Sequence, residues 1–229
     1  LAKPMMTYPE RKFTFVWKKG WSKGMNDRGG FQYVLKAFCE EFKPEEKVRL
    51  LAHINPVYNS SSWNIETEMN KVGLQPKEQR AEMGINTSIL SDSQMASFYT
   101  SGDCFLGTSM AESFNIPVLE AMACGLPTIT TVFGGMNEYA IGWKVNGTMI
   151  PAPLADYGDI ALYEQAKWLE PSIPELRKAM REAFIVWNEK PESWNALKEE
   201  ALLHAKGLTW EHTARLIVQT VEDVEHGKT

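Results

Sequence analysis

Residues Cys104 to Tyr139 read CFLGTSMAESFNIPVLEAMACGLPTITTVFGGMNEY, and this stretch decides the fold. Its pattern predicts a buried strand from Cys104 to Thr108, a polar loop, a short helix from Pro117 to Cys124 and a second buried strand from Thr128 to Val132. A Gly-Gly turn follows the second strand. The stretch is therefore a strand–helix–strand unit with an enlarged first loop.

Each boundary of the predicted helix has a physical cause. Pro117 suits a first helical turn, because its φ is already fixed and its missing N–H is not needed there. Gly125 follows the helix, where a left-handed residue commonly ends it. The apolar runs FLGT and TITTV show little polar alternation, which is typical of strands covered on both faces. The unit therefore indicates an α/β fold with a parallel sheet.

The enlarged loop, Ser109 to Ile116, lies at the carboxyl end of its strand, where open parallel sheets bind ligands. Its backbone N–H groups meet a helix N-terminus, which suits phosphate or sugar hydroxyls. Glu112 lies in the loop and Glu120 one turn into the helix, and a pair of carboxylates accepts hydrogen bonds from vicinal hydroxyls. On spacing alone, two solvent-exposed surface glutamates are an equal alternative.

A family resemblance rests on these residues. Glu112, seven intervening residues and Glu120 are followed by AMACGLPTITT and by Gly134-Gly135 with Glu138. The combination resembles the Glu-x7-Glu signature of the family-4 retaining glycosyltransferases. That family has the GT-B fold of two facing Rossmann-like domains, and the signature lies in the C-terminal, donor-binding one. The resemblance extends over roughly residues 13 to 226.

The resemblance implies roles for the matching residues. Glu112 matches the glutamate that contacts the transferred sugar and is usually assigned a catalytic role, and Glu120 matches the one that holds the nucleotide ribose. The backbone after Glu112 would contact the sugar and the pyrophosphate through Ser113, Phe114, Asn115 and Ile116. The sequence has no Asp-x-Asp motif. We therefore expect no metal and no cofactor, only a UDP- or GDP-linked sugar as the donor substrate.

A basic, glycine-rich segment, KKGWSKGMNDRGG, spans residues 18–30. It follows a predicted strand, Phe13 to Trp17, and precedes an amphipathic helix, Phe31 to Phe42. A loop of this kind at the carboxyl end of a strand suits phosphate. A solvated turn is the commoner explanation for such a loop.

The resemblance makes this basic segment more specific. In the family, an Arg at the strand end and a later Lys neutralise the donor pyrophosphate. Lys18 falls near the position of the Arg, but Gly29 stands where the Lys is expected. We therefore expect Arg28 or Lys23 to substitute for the missing lysine, or the pyrophosphate to be held more weakly.

The chain between the basic segment and the central stretch continues the alternation of strands and helices. We predict a strand at Val48 to Ile54, a helix at Trp63 to Val72, a polar connection at Gln75 to Met83 and a third strand at Asn86 to Leu90. His53 is either a catalytic base or, as we favour, a packed core residue.

The helix that follows the third strand begins at a predicted capping box of Ser91 and Gln94 and continues through Tyr99. The resemblance implies that the nucleotide base lies near Ser91 and Met95. For Met95, a role as core filler is the preferred alternative.

The C-terminal third is predicted to be mostly helical. A short strand, Thr148 to Ile150, precedes three helices, which we place near Ile160 to Leu169, Pro174 to Trp187 and Ser193 to Ala205. A closing helix is expected to begin at a cap on Thr209 with a buried Trp210. The resemblance implies that this helix returns towards the other GT-B domain, which leaves an apolar stripe of Leu216, Ile217 and Val221 exposed without that domain.

Composition excludes several classes of protein. The 229 residues are 44% hydrophobic with a net charge of −5, which argues against a nucleic-acid binder. The three cysteines show no Cys-x-x-Cys spacing, so reduced thiols and a cytoplasmic location are expected. No apolar run approaches the roughly 20 residues of a transmembrane helix. A nicotinamide dehydrogenase is disfavoured because no G-x-G-x-x-G follows the first strand.

The sequence therefore predicts an α/β fold: a Rossmann-like, mostly parallel sheet of about six strands, helices on both faces and a helical C-terminal tail. We divide it into a lead-in (1–12), a donor-binding domain (13–207) and a crossover helix (208–229). As half of a GT-B architecture, it would need an acceptor-binding N-terminal domain that is missing from this chain. A nucleotide-sugar epimerase, a hydrolase-like release of free sugar and a non-catalytic donor-binding or assembly module that needs a partner half are the alternatives.

Overall fold

The structure, a computed structural model, describes residues 11–58, 63–153 and 165–227. Within these ranges the strands are β1 (Phe13–Lys19), β2 (Val48–Ile54), β3 (Glu82–Asn86), β4 (Cys104–Gly107), β5 (Thr128–Thr131), β6 (Gly142–Val145), β7 (Gly147–Pro151) and β8 (Lys167–Pro171). The α-helices are α1 (Phe31–Glu41), α2 (Ile65–Lys71), α3 (Asp92–Thr100), α4 (Ile116–Ala123), α5 (Met136–Tyr139), α6 (Ile173–Glu189), α7 (Pro191–Gly207) and α8 (Trp210–Glu225). Most of the expected lead-in, residues 1–10, and the start of the helix predicted from Ile160 lie outside the described residues.

Six strands form one sheet in the order β3-β2-β1-β4-β5-β6, and every neighbouring pair is parallel. The predicted Rossmann-like parallel sheet is therefore confirmed. The chain builds outward from β1 through β2 to β3, and then returns to the centre and builds the other way from β4 to β6. The order reverses between β1 and β4, and open α/β sheets bind ligands beyond the carboxyl ends of the strands at such a switch point.

Helices cover both faces of the sheet, as predicted. Phe13, Phe15 and Trp17 alternate along β1 and pack in one core cluster that also holds the apolar residues of α1 and α6. Val16 points to the opposite face, where it packs with Tyr99 of α3 and with residues of α4 and α7. Side chains of a strand alternate between faces, so one strand supports both cores. No helix in the described part of the chain is long and apolar enough to cross a membrane.

The predicted strand–helix–strand unit is confirmed as β4, α4 and β5, with boundaries that shift by one residue. Pro117 lies in the first turn of α4. Gly125 follows the helix with a φ of 77°, in the left-handed region that favours glycine. The local physics of these two residues therefore sets both ends of α4.

The third strand was predicted too late in the chain. β3 spans Glu82–Asn86, so it begins within the last two residues of the expected polar connection and shares only Asn86 with the predicted strand. Ile89, beyond β3, is 79% exposed. Among the described strands β3 pairs with β2 alone, at the edge of the sheet, so its residues are at most partly buried and carry a weak apolar signal. It ends where the Asn86 side chain accepts a hydrogen bond from the Ser88 N–H (2.8 Å).

The helix predicted at Ile160 to Leu169 is wrong over its described end. Residues Lys167–Pro171 form β8, which pairs antiparallel with β7 in a separate two-stranded sheet. Trp168 and Leu169 are buried in this strand. β8 forms because it pairs with β7, which is distant in sequence. The local residue pattern alone predicts a helix there.

The C-terminal tail is helical, as predicted, but one side chain was misplaced. Thr209 caps α8 by accepting a hydrogen bond from the His212 N–H (3.1 Å). Trp210 was expected to be buried and is 86% exposed. The apolar stripe of Leu216, Ile217 and Val221 is also exposed, as expected.

Candidate functional site

The candidate site lies at the switch point, where the carboxyl ends of β1 and β4 meet the first turn of α4. A cavity of about 320 Å³ opens there. Its wall is formed mainly by the end of β1 and the basic loop after it: Lys18, Lys19, Gly20, Ser22, Asp27, Arg28, Gly29, Asn55 and Pro117. The cavity therefore brings the basic segment and the start of α4 together, although almost 90 residues separate them in the sequence.

The Gly-Gly turn, Gly134-Gly135, packs against the loop from Ser109 to Asn115. An ideal Cβ at Gly134, which has a φ of 66°, would lie 2.0 Å from the carbonyl oxygen of Glu112. The Gly135 N–H donates to the carbonyl of Ser113 (2.6 Å). Only a residue without a side chain allows this approach, so the Gly-Gly turn fixes the backbone that carries Glu112.

The other end of the loop is fixed by Asn115, which precedes α4 with a φ of 64°. Its buried side chain amide donates to Ser109 Oγ (3.3 Å). The hydroxyl of Tyr139 shares its one proton between the carbonyls of Phe114 (2.6 Å) and Asn115 (2.9 Å), and the Tyr139 ring stacks on Phe114. The residues from Ser113 to Ile116 therefore form a rigid entry to the helix.

Glu112 lies among cations. Its carboxylate accepts a short hydrogen bond from Lys19 Nζ, and Arg28 Nη1 lies 3.8 Å from the same oxygen. Arg28 also donates to the carbonyl of Ala111 (3.2 Å). The side chains of Lys19 and Glu112 are only 18% and 15% exposed. This partial burial strengthens their electrostatic interaction relative to a surface pair.

Glu120 lies across the switch point from Glu112, on the face of the sheet that α3 and α4 cover. Its Oε2 accepts a hydrogen bond from the Tyr99 hydroxyl (2.5 Å) and lies 3.5 Å from Lys18 Nζ. Lys18 and Lys19 are consecutive in β1 and therefore point to opposite faces. Each of the two lysines pairs with one of the two glutamates.

Lys19 was not among the residues that sequence reasoning selected. Its ammonium donates to Ser109 Oγ (2.7 Å) as well as to Glu112. Burial lowers the pKa of Lys19, and the hydrogen bond to Glu112 offsets part of that shift. A Cβ built on Gly29 would lie 3.3 Å from Cδ of Lys19. The stem of Lys19 thus occupies space beside position 29, where the resemblance places a lysine. Side chains alternate between the two faces of a strand, and this alternation at the end of β1 was the sequence signal that could have pointed to Lys19.

Asp27 organises the basic loop that carries Arg28. This residue is 5% exposed, and its carboxylate accepts hydrogen bonds from the backbone N–H groups of Ser22 (2.8 Å), Lys23 (3.1 Å) and Gly29 (2.8 Å). Sequence reasoning missed this role as well. An Asp within a glycine-rich turn was the available signal, because Asp side chains commonly hydrogen-bond nearby backbone.

Known proteins resemble part of this chain in sequence. Residues 78–184 match a family model described as "Glycosyl transferases group 1". Over these residues, which are just under half of the chain, it resembles the group 1 glycosyltransferases. The D-inositol 3-phosphate glycosyltransferase of Arthrobacter sp. (strain FB24) is 27% identical over 129 residues, which are 56% of this chain and 25% of that protein. The serotype-specific mannosyltransferase WbdA of Escherichia coli is 25% identical over 152 residues, 63% of this chain and 16% of WbdA.

A solved structure has a similar fold over most of this chain. Anabaena Alr3699/HepE in complex with UDP-glucose superimposes with a TM-score of 0.59 and 14% sequence identity, over 93% of this chain and 49% of that one. At that identity the likeness shows the fold. The chain spans between 12% and 35% of the length of the curated relatives it matches, and about half of the Anabaena structure.

The structure brings most of the predicted site residues together. Lys18, Arg28, Glu112, Glu120 and the backbone from residue 113 to 116 surround the switch point. Two predicted residues lie elsewhere.

Those two are Ser91 and Lys23. Ser91 caps α3 in the predicted capping box, beyond β3, which β2 separates from β1. The exposed side chain of Lys23 is not in the cavity wall, although its backbone N–H binds Asp27. His53 is buried in β2, where Nε2 lies 2.9 Å from the Ser88 carbonyl, in agreement with a core role.

Proposed function

We propose that the chain is the donor-binding half of a retaining glycosyltransferase, which transfers a hexose from a nucleotide diphosphate sugar to an acceptor. The observation that carries the proposal is the pairing of Lys19 and Arg28 with Glu112, and of Lys18 with Glu120, at the switch point of the sheet. Cations and carboxylates at one such point suit a ligand that carries both phosphates and hydroxyl groups.

The donor diphosphate would lie in the cavity that Lys19, Arg28 and the start of α4 border. Lys19 would supply the cation that the family resemblance places at position 29, since its stem already fills the adjoining space. Hydrogen bonds to charged groups stabilise by about 1.5–3 kcal/mol each. The diphosphate would compete with Glu112 for Lys19 and Arg28, so binding would loosen these ion pairs and leave Glu112 able to contact the sugar.

Glu120 would accept hydrogen bonds from the ribose, since a carboxylate can bind two vicinal hydroxyls at once. The backbone from Ser113 to Ile116 would contact the sugar and the diphosphate. Ser91 and Lys23 stay candidate donor contacts, Ser91 beside the base. The comparisons include a relative named a mannosyltransferase and a structure with UDP-glucose, which supports GDP-mannose and UDP-glucose as the first donors to test.

In the reaction, the bond between the anomeric carbon and the β-phosphate oxygen would break, and its electron pair would leave with the nucleoside diphosphate. The acceptor hydroxyl oxygen would bond to the same face of the anomeric carbon and give its proton to the departing phosphate oxygen. Lys19 and Arg28 would stabilise the charge that develops on the diphosphate, and such electrostatic stabilisation commonly contributes most to catalysis. Glu112 would orient the sugar, with no covalent glycosyl-enzyme.

The proposal also covers the architecture around the site. The donor domain would comprise residues 13–207 and the crossover helix residues 208–229, with residues 1–12 as the lead-in. The acceptor domain would be the other GT-B half, and it would cover the stripe of Leu216, Ile217 and Val221 that is exposed here. We also retain a cytoplasmic location and a reaction without a metal as proposals.

Product analysis tests the proposed function. The chain, joined to an acceptor-binding half, is incubated with UDP-glucose or GDP-mannose labelled in the sugar. Label on a larger acceptor with retained anomeric configuration supports the proposal, and Glu112→Gln should then collapse turnover. An epimerised donor would instead indicate an epimerase, and free sugar a hydrolase. A donor that binds but is never consumed would indicate a non-catalytic module, and near-normal transfer by Glu112→Gln would remove Glu112 from the catalytic role.

A further inference from the structure

We propose that Tyr99 is a positioning residue that fixes the Glu120 carboxylate for a ribose diol, and so makes the site select ribonucleotides over deoxyribonucleotides. The inference rests on the proposed function, because it assigns the ribose to Glu120. It adds a residue and a specificity that the glutamate pair alone does not imply.

The geometry of Tyr99 favours a precise role rather than a loose surface contact. The residue lies on α3 and is 2% exposed, with its ring 5.8 Å from that of Phe105 on β4. The core therefore holds the ring, and the hydroxyl at its tip donates to Glu120 Oε2 on α4 at 2.5 Å. A tyrosine has only two side-chain torsions, so a buried ring fixes the position of its hydroxyl closely.

Tyr99 acts on one oxygen of the carboxylate. Lys18 Nζ lies 3.5 Å from the same Oε2. Both contacts converge on Oε2, which leaves Oε1 and the remaining lone pairs as acceptors for a ligand. The Glu120 side chain is 41% exposed, so a ligand can reach it. Burial, together with the hydrogen bond to Glu120, raises the pKa of Tyr99 and keeps its hydroxyl protonated as a donor.

A glutamate held in this way distinguishes a diol from a single hydroxyl. When the carboxylate is fixed, the 2′- and 3′-hydroxyls can both donate to it without the glutamate losing further rotamer freedom on binding. A site built to hydrogen-bond a hydroxyl rejects the analogue that lacks it, because its polar atoms are then left unpaired. Without Tyr99, Glu120 would pivot about its own torsions, and much of this discrimination would disappear.

The chain offers a matched control for the loss of a tyrosine hydroxyl. Tyr33 on α1 donates to Glu170 Oε1 on β8 at 2.8 Å, and is also a partly buried tyrosine–glutamate pair between two elements. Tyr33→Phe removes a comparable hydrogen bond away from Glu120. If Tyr99 had a purely structural role, Tyr99→Phe and Tyr33→Phe would have the same effect on nucleotide binding.

The test is calorimetric titration of the full chain with UDP, dUDP, GDP and dGDP, for the wild type, Tyr99→Phe, Tyr33→Phe and Glu120→Asp. The wild type and Tyr33→Phe should bind the better ribonucleotide about tenfold more tightly than its 2′-deoxy analogue. In Tyr99→Phe the ratio of the Kd for the 2′-deoxy analogue to the Kd for the ribonucleotide should fall to about one, mainly because the ribonucleotide binds more weakly. Glu120→Asp moves the proposed ribose contact itself and should lose the preference whatever Tyr99 does, so it shows that the preference arises at Glu120. Tyr99→Phe keeps the buried ring, and thermal unfolding checks that this variant is folded.

The outcomes separate this inference from the proposed function. If the wild type binds neither UDP nor GDP, a UDP- or GDP-linked donor is refuted and this inference falls with it. If the wild type binds a ribonucleotide but shows no preference over the deoxy analogue, only the role of Tyr99 is refuted. An unchanged ratio in Tyr99→Phe, or an equal loss in Tyr33→Phe, refutes it as well.

Discussion

The substitution Gly134→Ala tests whether the Gly-Gly turn positions the loop that carries Glu112. The added Cβ would lie 2.0 Å from the carbonyl oxygen of Glu112, whereas ordinary van der Waals contact begins at 3.4 Å. The two segments would therefore have to separate by about 1.4 Å, which is the difference between these distances. Glu112 and the Ser113 carbonyl would move with the loop.

Gly125→Ala is the matched control, because Gly125 also has a left-handed φ (77°) but, apart from its chain neighbours, nothing lies within 4 Å of its added Cβ. Both substitutions carry the cost of a left-handed alanine, about 1–2 kcal/mol of the free energy of unfolding. In a domain of this size, each kcal/mol lowers Tm by about 2–4 °C. Only Gly134→Ala adds the displacement of the loop.

The displacement should weaken donor binding by about 10- to 100-fold, since it disturbs at least one contact to a charged group worth about 1.5–3 kcal/mol. Gly125→Ala should bind the donor as the wild type does. The assay pairs thermal unfolding with calorimetric titration of UDP-glucose and GDP-mannose. Equal donor affinity in the two variants, at a similar loss of Tm, would refute the idea that the close approach positions the site.

Three further predictions concern charge and exposure. Lys19→Arg should keep the diphosphate affinity as pH rises, whereas the wild type should lose affinity as pH rises through the lowered pKa of Lys19, as titrations between pH 7 and 10 would show. Arg181→Ala should cost about 2–3 kcal/mol, because Arg181 bonds Glu41 (2.7 Å) and Glu46 (2.5 Å). Burial alone would raise the pKa of the Glu46 carboxyl, but its hydrogen bond to Arg181 lowers that pKa overall. Protonation of Glu46 at low pH therefore removes its ion pair with Arg181. The cost of Arg181→Ala, measured by urea unfolding, should shrink as pH falls below about 4.5. Leu216→Ser should change the free energy of unfolding by less than about 0.5 kcal/mol, since Leu216 is 54% exposed, and a larger loss would show that α8 packs on this chain.

The sequence predicts the centre of the fold well because its determinants are local. Pro117 and Gly125 set the ends of α4, and the apolar runs around them are typical of buried parallel strands. Ser91 and Thr209 cap their helices as their spacing predicts. In each case the residue that decides the structure lies within four positions of the backbone groups that it contacts.

Predictions failed where the deciding contact is distant in sequence. β3 is an edge strand whose register depends on pairing with β2, and β8 exists through pairing with β7. Lys19 was overlooked because its importance depends on Glu112, which lies 93 residues away. Trp210 is large and apolar, which favours burial, but the described part of the chain leaves it 86% exposed.

The most direct test of the account is calorimetric titration of the chain with UDP, GDP, ADP and their sugars, beside Glu120→Ala and an exposed control, Glu199→Ala. We predict that one nucleotide binds, that Glu120→Ala abolishes binding and that Glu199→Ala does not. Ligand at 100 times its Kd should then add about 2.7 kcal/mol to the free energy of unfolding and raise Tm by several degrees. Absence of binding by every nucleotide, or equal binding by Glu120→Ala, would contradict a donor site at this switch point.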